Sequence, residues 1–233
     1  MSYSAIHREL VSLGTAARVV VNKRYFKTGP GEYGHGDRFL GLSVPALRSV
    51  ARAHRDLPLR EVTVLLKSEW HEERLLALLI LVDQYRRGDQ SLRDAIHALY
   101  LRSTKYVNNW DLVDSSAPYL VGPHLPPRKR ALLTRLAKSS DMWERRIAVL
   151  STLHYIKQGQ FVDVLSIATL LLDDEEDLIH KAVGWMLREV GNRNREVEER
   201  FLREYARHMP RTMLRYAIEK FPEPTRNRYL SGK

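Results

Sequence analysis

Three short segments carry side chains that could act together on a nucleotide. In Asn108-Asn109-Trp110-Asp111-Leu112-Val113-Asp114, Trp110 and Asp114 stand one helical turn apart and so share a face. In Trp143-Glu144-Arg145-Arg146 a guanidinium pair follows an indole, and in Lys181 to Arg188 Trp185 lies one turn beyond Lys181. Indoles pack against a sugar or a base, and a guanidinium grips a phosphate. A carboxylate beside them can stabilise positive charge that develops on a deoxyribose as its base departs. Spacing alone favours a plainer reading, in which Trp110 and Trp185 are core residues and Asp114 caps or pairs locally.

Several other chemistries are closed off. With no Cys in the chain there is no thiol nucleophile, disulfide, Cys-based zinc site or iron–sulfur cluster. His71-Glu72-Glu73-Arg74-Leu75 begins like a zinc-protease helix, but Leu75 stands where the second His ligand is required. Nine scattered His residues form no other ligand pair with an acidic third member, so no metal is expected. The acidic run from Asp173 to Asp177 lacks the spacing and the Gly of a calcium loop, and fits better as negative charge at a helix N-terminus. No GxSxG element is present. Thr28 to Arg38 holds four glycines in eleven residues, which predicts a mobile loop. It is neither a Walker loop nor a dinucleotide fingerprint, since no strand precedes it and no GK[ST] follows.

The elements that must position these residues read as helix after helix. Ser43-Val44-Pro45 is a helix start, with Ser as cap and Pro in the first turn. Trp70 to Gly88, Asp141 to Gly159 and Asp173 to Gly191 each have helical length and end on glycine. Few stretches alternate with period two, so the fold class is all-α. Superimposing HEERLLALL, WERRIAVLS, LIHKAVGWM and TMLRYAIEK brings Arg74, Arg146, Lys181 and Arg215 onto one position. Their spacing is a multiple of about 35 residues, with Trp110 midway through the double step, as in an α-solenoid of helix pairs. A cation recurring at one repeat position is expected to line one concave surface; four unrelated surface charges are the alternative.

A chain of 233 residues suffices for one large domain, expected to span 1–233. Its net charge of +10 points to a polyanionic partner, nucleic acid being the commonest. The apolar runs are too short to span a bilayer, no polybasic segment favours a membrane surface, and the N-terminus shows no secretory signal. A cytoplasmic protein is expected.

Taken together, NNWDLVDSSAP, DMWERRIAVL and IHKAVGWMLREVG resemble the AlkD-type DNA alkylation repair glycosylases, and the similarity runs from Tyr25-Phe26-Lys27 to Ile218-Glu219-Lys220. The resemblance implies an α-α superhelix of HEAT-like repeats that holds duplex DNA in a basic concave groove. It implies hydrolysis of the N-glycosidic bond of cationic N3- and N7-alkylpurines, without metal or organic cofactor and without flipping the base into a pocket. By matching positions, Asp114 becomes the catalytic carboxylate, Trp110 and Trp185 the aromatic walls on the deoxyribose, and Arg146 the basic residue beside them. Tyr25 matches an N-terminal tyrosine near the same place and Arg188 a backbone contact; Arg74, Lys181 and Arg215 join them as DNA-binding positions through the repeat. The Gly-rich segment looks longer than in the best-known members, and a small Ser43 stands where a larger polar residue is usual. The expected partner is double-stranded DNA containing alkylated purines, and the chain is expected to act as a monomer.

Two other readings remain open. One is a non-catalytic module for bent, branched or damaged DNA, which the retained Asp and Trp set argues against. The other is a helical-repeat scaffold for proteins, against which the charge and the recurring cation argue.

Overall fold

The computed structural model describes residues 3–231, and within them the chain is helical throughout. One isolated parallel bridge, between Arg38 and Trp70, is the sole strand-like pairing among the described residues. No helix among them is long and apolar enough to cross a membrane. The chain divides into two compact units, Met1–Ser116 and Ala117–Lys233.

Unit 1 contains α1 (Tyr3–Leu13), α2 (Ala16–Tyr25), α3 (Val44–Ala53), α4 (Leu59–Leu66), α5 (His71–Arg87), α6 (Gln90–Arg102) and α7 (Trp110–Asp114). Its axis is α5, against which α3, α4, α6 and α7 all pack. Leu76, Leu78, Ile80 and Leu81 are fully buried there, each burial stabilising by about 1.5–3 kcal/mol. The apolar run from Leu75 to Val82 is buried at every position but Leu79, which makes this helix central. Ser43 caps α3 as its sequence foretells, its Oγ accepting from the Ala46 amide at 3.3 Å. Gly88 closes α5. By contrast α2 buries none of its residues, and Val20, Val21 and Tyr25 all stay exposed.

Unit 2 runs through α8 (Ala117–Leu120), α9 (Ala131–Ala137), α10 (Met142–Ser151), α11 (Leu153–Ile156), α12 (Val162–Leu170), α13 (Asp177–Gly191), α14 (Arg195–Tyr205), α15 (Arg211–Ala217) and α16 (Glu223–Ser231). Here α13 is central, packed by α10, α12, α14 and α15. Helices stacked on their sequence neighbours are the arrangement of an α-α repeat fold. Gly184 makes one of these contacts possible. A Cβ there would overlap the Met213 carbonyl and the Tyr216 Cβ, so α13 and α15 approach at a distance only glycine permits.

The helix expected over 141–159 is two helices. Asp141 caps the first, accepting from the Trp143 amide at 2.8 Å. At Ser151 and Thr152 the hydroxyls turn back onto the Ile147 and Val149 carbonyls, at 2.6 and 2.5 Å, and the ladder breaks between α10 and α11. Hydroxyl competition for main-chain carbonyls is the physical reason.

Candidate functional site

In unit 1 the candidate residues gather around α7. Five residues cannot hold a helix alone, and α7 is held by its neighbours. Asn109 caps it, the side-chain oxygen accepting from the Trp110 amide at 2.9 Å while Nδ2 donates to Asp37 at 3.1 Å. Ser116 at its other end donates to the Leu112 carbonyl at 2.5 Å and meets the buried Tyr100 hydroxyl at 3.0 Å.

The strongest tie is His71, the first residue of α5. It is buried, and its two ring nitrogens face Asp37 at 3.0 Å and Asp111 at 2.9 Å. An imidazolium donates to both. Burial alone would push its pKa down, but the Asp111 and Asp37 carboxylates outweigh burial and raise it to about 9. Asp37 responds in kind. Burial pushes its carboxyl up, yet hydrogen bonds from His71 and Asn109 and the Arg74 guanidinium hold it below the usual carboxylate range.

Above this polar floor lies an aromatic layer. Phe26 stacks on Trp110 with ring centroids 5.5 Å apart, and on Phe39 at 5.3 Å. Tyr25 meets the Trp110 edge at 5.7 Å and is 62% exposed. Trp110 and Asp114 are each half-buried at opposite ends of α7. The Asp114 charge acts on the Tyr100 hydroxyl, whose pKa burial pushes up and Asp114 pushes further, against the Ser116 hydrogen bond. Exposed aromatic edge, half-buried indole and a carboxylate one turn on form a surface that can receive a sugar and stabilise charge on it.

Beside the layer is an open cavity of about 280 Å³, lined by Arg18, Asn22, Tyr25, Ser43, His71 and Asp111 among others. Neither Asp114 nor Trp110 lines it.

The four residues that imitate a metalloprotease helix have other employment. Glu72 accepts the amides of Leu40 and Gly41, both at 2.9 Å, and that of Leu42 at 3.3 Å. Gly41 reaches this position with φ of +86°, a conformation that favours glycine. Glu73 accepts from His7 at 2.6 Å and from the Tyr3 hydroxyl at 3.1 Å, fastening α1. Arg74 gives its guanidinium to Asp37 at 2.6 Å and to the Ser68 carbonyl at 3.0 Å.

Arg74 therefore departs from its expected place on a DNA-facing surface: it is 4% exposed and braces the α7 platform from below. The Gly-rich segment also differs from a free loop. It is a run of hydrogen-bonded turns, and its far end is pinned by Asp37 and by Arg38, which pairs with Glu69 at 2.6 Å and lies over the Trp70 ring.

Unit 2 distributes the other expected residues over three helices. Arg146 on α10 is 5% exposed and donates to the Leu178 carbonyl at 2.5 Å, just before α13 gains its second turn. Trp143 on the same helix is a core residue. On α13, Trp185 is half-buried, Lys181 pairs with Asp177 at 2.7 Å, and Arg188 pairs with Glu219. Arg215 on α15 is exposed, with no ion pair among the described residues. The cation recurring at one repeat position thus lies at three depths, buried at Arg74 and Arg146, half-buried at Lys181 and exposed at Arg215. In the acidic run, Asp174 binds the Arg145 guanidinium at 2.7 Å, and Asp177 alone falls in the first turn of α13.

Sequence reasoning overlooked Phe26, Asp37, Asn109, Asp111 and the true role of His71. One signal was available: four ionisable residues leading directly into an apolar run, which places their side chains at the edge of a buried helix.

Comparison with known proteins follows the same lines. The profile of a family described as DNA alkylation repair enzyme matches residues 6–221. None of the curated protein sequences compared with the chain matches it. A solved structure described as a predicted DNA alkylation repair enzyme from Enterococcus faecalis superposes with a TM-score of 0.71 at 17% identity, covering 90% of this chain and 97% of that one. At that identity the likeness is one of fold.

Proposed function

The chain belongs to the DNA alkylation repair enzyme family, and from that premise we propose that it is a DNA glycosylase, hydrolysing the N-glycosidic bond of purines alkylated at N3 or N7. The observation that carries this reading is the α7 platform, where Asp114 stands one turn from Trp110 and Trp110 is walled by Tyr25 and Phe26.

The chemistry asks little of the protein. A purine alkylated at N3 or N7 is already cationic, so it leaves as a neutral base with the electron pair of the C1′–N9 bond and needs no general acid. Positive charge then spreads over C1′ and the ring oxygen. Asp114, fixed in place by a short helix that His71 and Asn109 hold, stabilises that charge and orients the water, whose oxygen bonds to C1′ as its surplus proton passes to the carboxylate. Trp110 and Tyr25 shape the sugar's side of the site. In unit 2, Trp185 offers a second aromatic surface, Arg146 a buried guanidinium, and Lys181, Arg188 and Arg215 contacts to the phosphate backbone. The resemblance of the sequence to the alkylpurine glycosylases supports a route in which the base stays outside a tight pocket. Neutral lesions, lacking a pre-charged leaving group, are poor substrates on this scheme.

Purified protein incubated with methylated duplex DNA in the presence of chelator is expected to release 7-methylguanine and 3-methyladenine, detected by chromatography. Asp114→Asn keeps shape and removes charge, so release falls by orders of magnitude while DNA affinity persists. Binding without release by the unaltered chain favours instead a module that recognises DNA without cutting it.

A further inference from the structure

A second, larger cleft lies at the C-terminal end of unit 2, between α14, the connection that follows it, α15 and α16. Its volume is about 500 Å³, and its walls include Arg203, Arg207 and Arg211 above a floor of Leu202, Met209 and Leu214. None of the three guanidiniums takes part in a hydrogen bond or ion pair among the described residues, whereas Arg195 and Arg200 on α14 pair with Glu199 and Glu196. No Asp or Glu lines the cleft among the described residues. The three arginines line one cleft together.

We infer that this cleft is a docking site for the phosphodiester backbone of duplex DNA, outside the Asp114 platform; the inference rests on the DNA-repair reading above. Arg203, in the last turn of α14, and Arg207, in the turn that follows it, form one row, and Arg211 and Arg215, one helical turn apart on α15, form a second. The second row joins the cleft to Arg215, which α15 also holds exposed. A polymer presenting charge at every few ångströms suits such rows better than a single small anion does. All three cations are arginine, whose planar fork binds phosphate oxygens in pairs. Beside the arginines, the polar side chains that line the cleft among the described residues are the hydroxyls of Tyr229 and Ser231.

The test compares the full chain with a triple variant, Arg203→Gln, Arg207→Gln and Arg211→Gln, on a long unmodified duplex over a salt series. The slope of log affinity against log salt is expected to fall by about 2 to 3, at about 0.9 per lost phosphate contact. Single-turnover base release from a short lesion duplex at saturating enzyme is expected to stay unchanged. The corresponding triple Lys variant keeps the charge and should keep the slope. An unaltered slope in the Gln variant overturns the inference, as does a slope lost equally in the Lys variant, which would mark the residues as structural. Loss of pyrophosphate-induced thermal stabilisation in the Gln variant, with DNA binding intact, would overturn it in favour of a small phosphate ligand. A lowered slope in a protein that never releases base would retain the cleft and remove the glycosylase reading.

Discussion

His71 and Asp111 meet through Nε2 and Oδ2 at 2.9 Å, joining the first residue of α5 to the second residue of α7 across 40 positions of sequence. Through that bond the most deeply buried helix of unit 1 sets the position of the segment bearing Trp110 and Asp114.

Removal of His71 tests the joint. His71→Gln leaves Asp37 and Asp111 without the cation between them, and is expected to cost about 3 kcal/mol or more. The folded pKa lies near 9 against an ordinary value of 6.5, so the His71 contribution is complete below pH 6.5 and is lost as pH rises through about 9. Thermal melting of both proteins across that interval should therefore show a decline in the wild type that the variant lacks. Parallel curves would mean that His71 is not an imidazolium in the folded chain.

Arg146 and Arg215 should separate. Arg215 is exposed, and Arg215→Ala is expected to leave stability within about 0.5 kcal/mol while reducing the salt slope of DNA binding by about 0.9. Arg146 is buried against the Leu178 carbonyl, so Arg146→Ala is expected to slow base release more than it weakens binding. Arg146→Lys, which retains charge, controls for folding. Equal and purely binding defects in the two Ala variants would make Arg146 one more backbone contact.

Glu198 carries a pH effect of opposite origin. It is 2% exposed, its Oε1 lacks a hydrogen-bond partner among the described residues, and burial raises its pKa to about 8. The carboxyl is thus protonated in the fold where an unfolded chain would ionise, and stability drains away as pH rises from 4.5 to about 8. Glu198→Gln removes the drain and is expected to stabilise by about 1–3 kcal/mol at neutral pH. Melting curves at acid and neutral pH check it; a gain of the same size at both would refute the ionisation account.

Gly184→Ala addresses the α13–α15 contact. The added methyl overlaps a main-chain carbonyl, so α15 must shift, at an expected cost of about 1–3 kcal/mol. Denaturant unfolding measures it.

What the sequence disclosed follows the range of the interactions involved. Ser43 and Gly88 announce helix ends through bonds to residues three and four positions away, and both fall where expected. The Trp110–Asp114 spacing is likewise local. The break at Thr152 hides inside a stretch of good helix formers, because it depends on where two hydroxyls turn. Asp37, His71 and Asp111 are a non-local set for which no spacing rule exists, and a recurring cation shows position along a helix but not depth. Arg74 and Arg146 sink because Asp37 and the Leu178 carbonyl come from other segments to receive them.

The Gly-rich segment is a span between two fixed posts, since Phe26 is clamped in the aromatic layer and Asp37 in the carboxylate–imidazolium cluster. Gly31, at the span's outward bend, has open space on every side of an added Cβ. Chain inserted there lengthens a closed loop without moving either post, and doubling such a loop costs only about 0.6 kcal/mol in closure entropy. The bend at Gly31 is accordingly a port at which a fluorophore-bearing or affinity sequence can be installed a short distance from Tyr25, giving a reporter of DNA arrival that leaves the α7 platform in register.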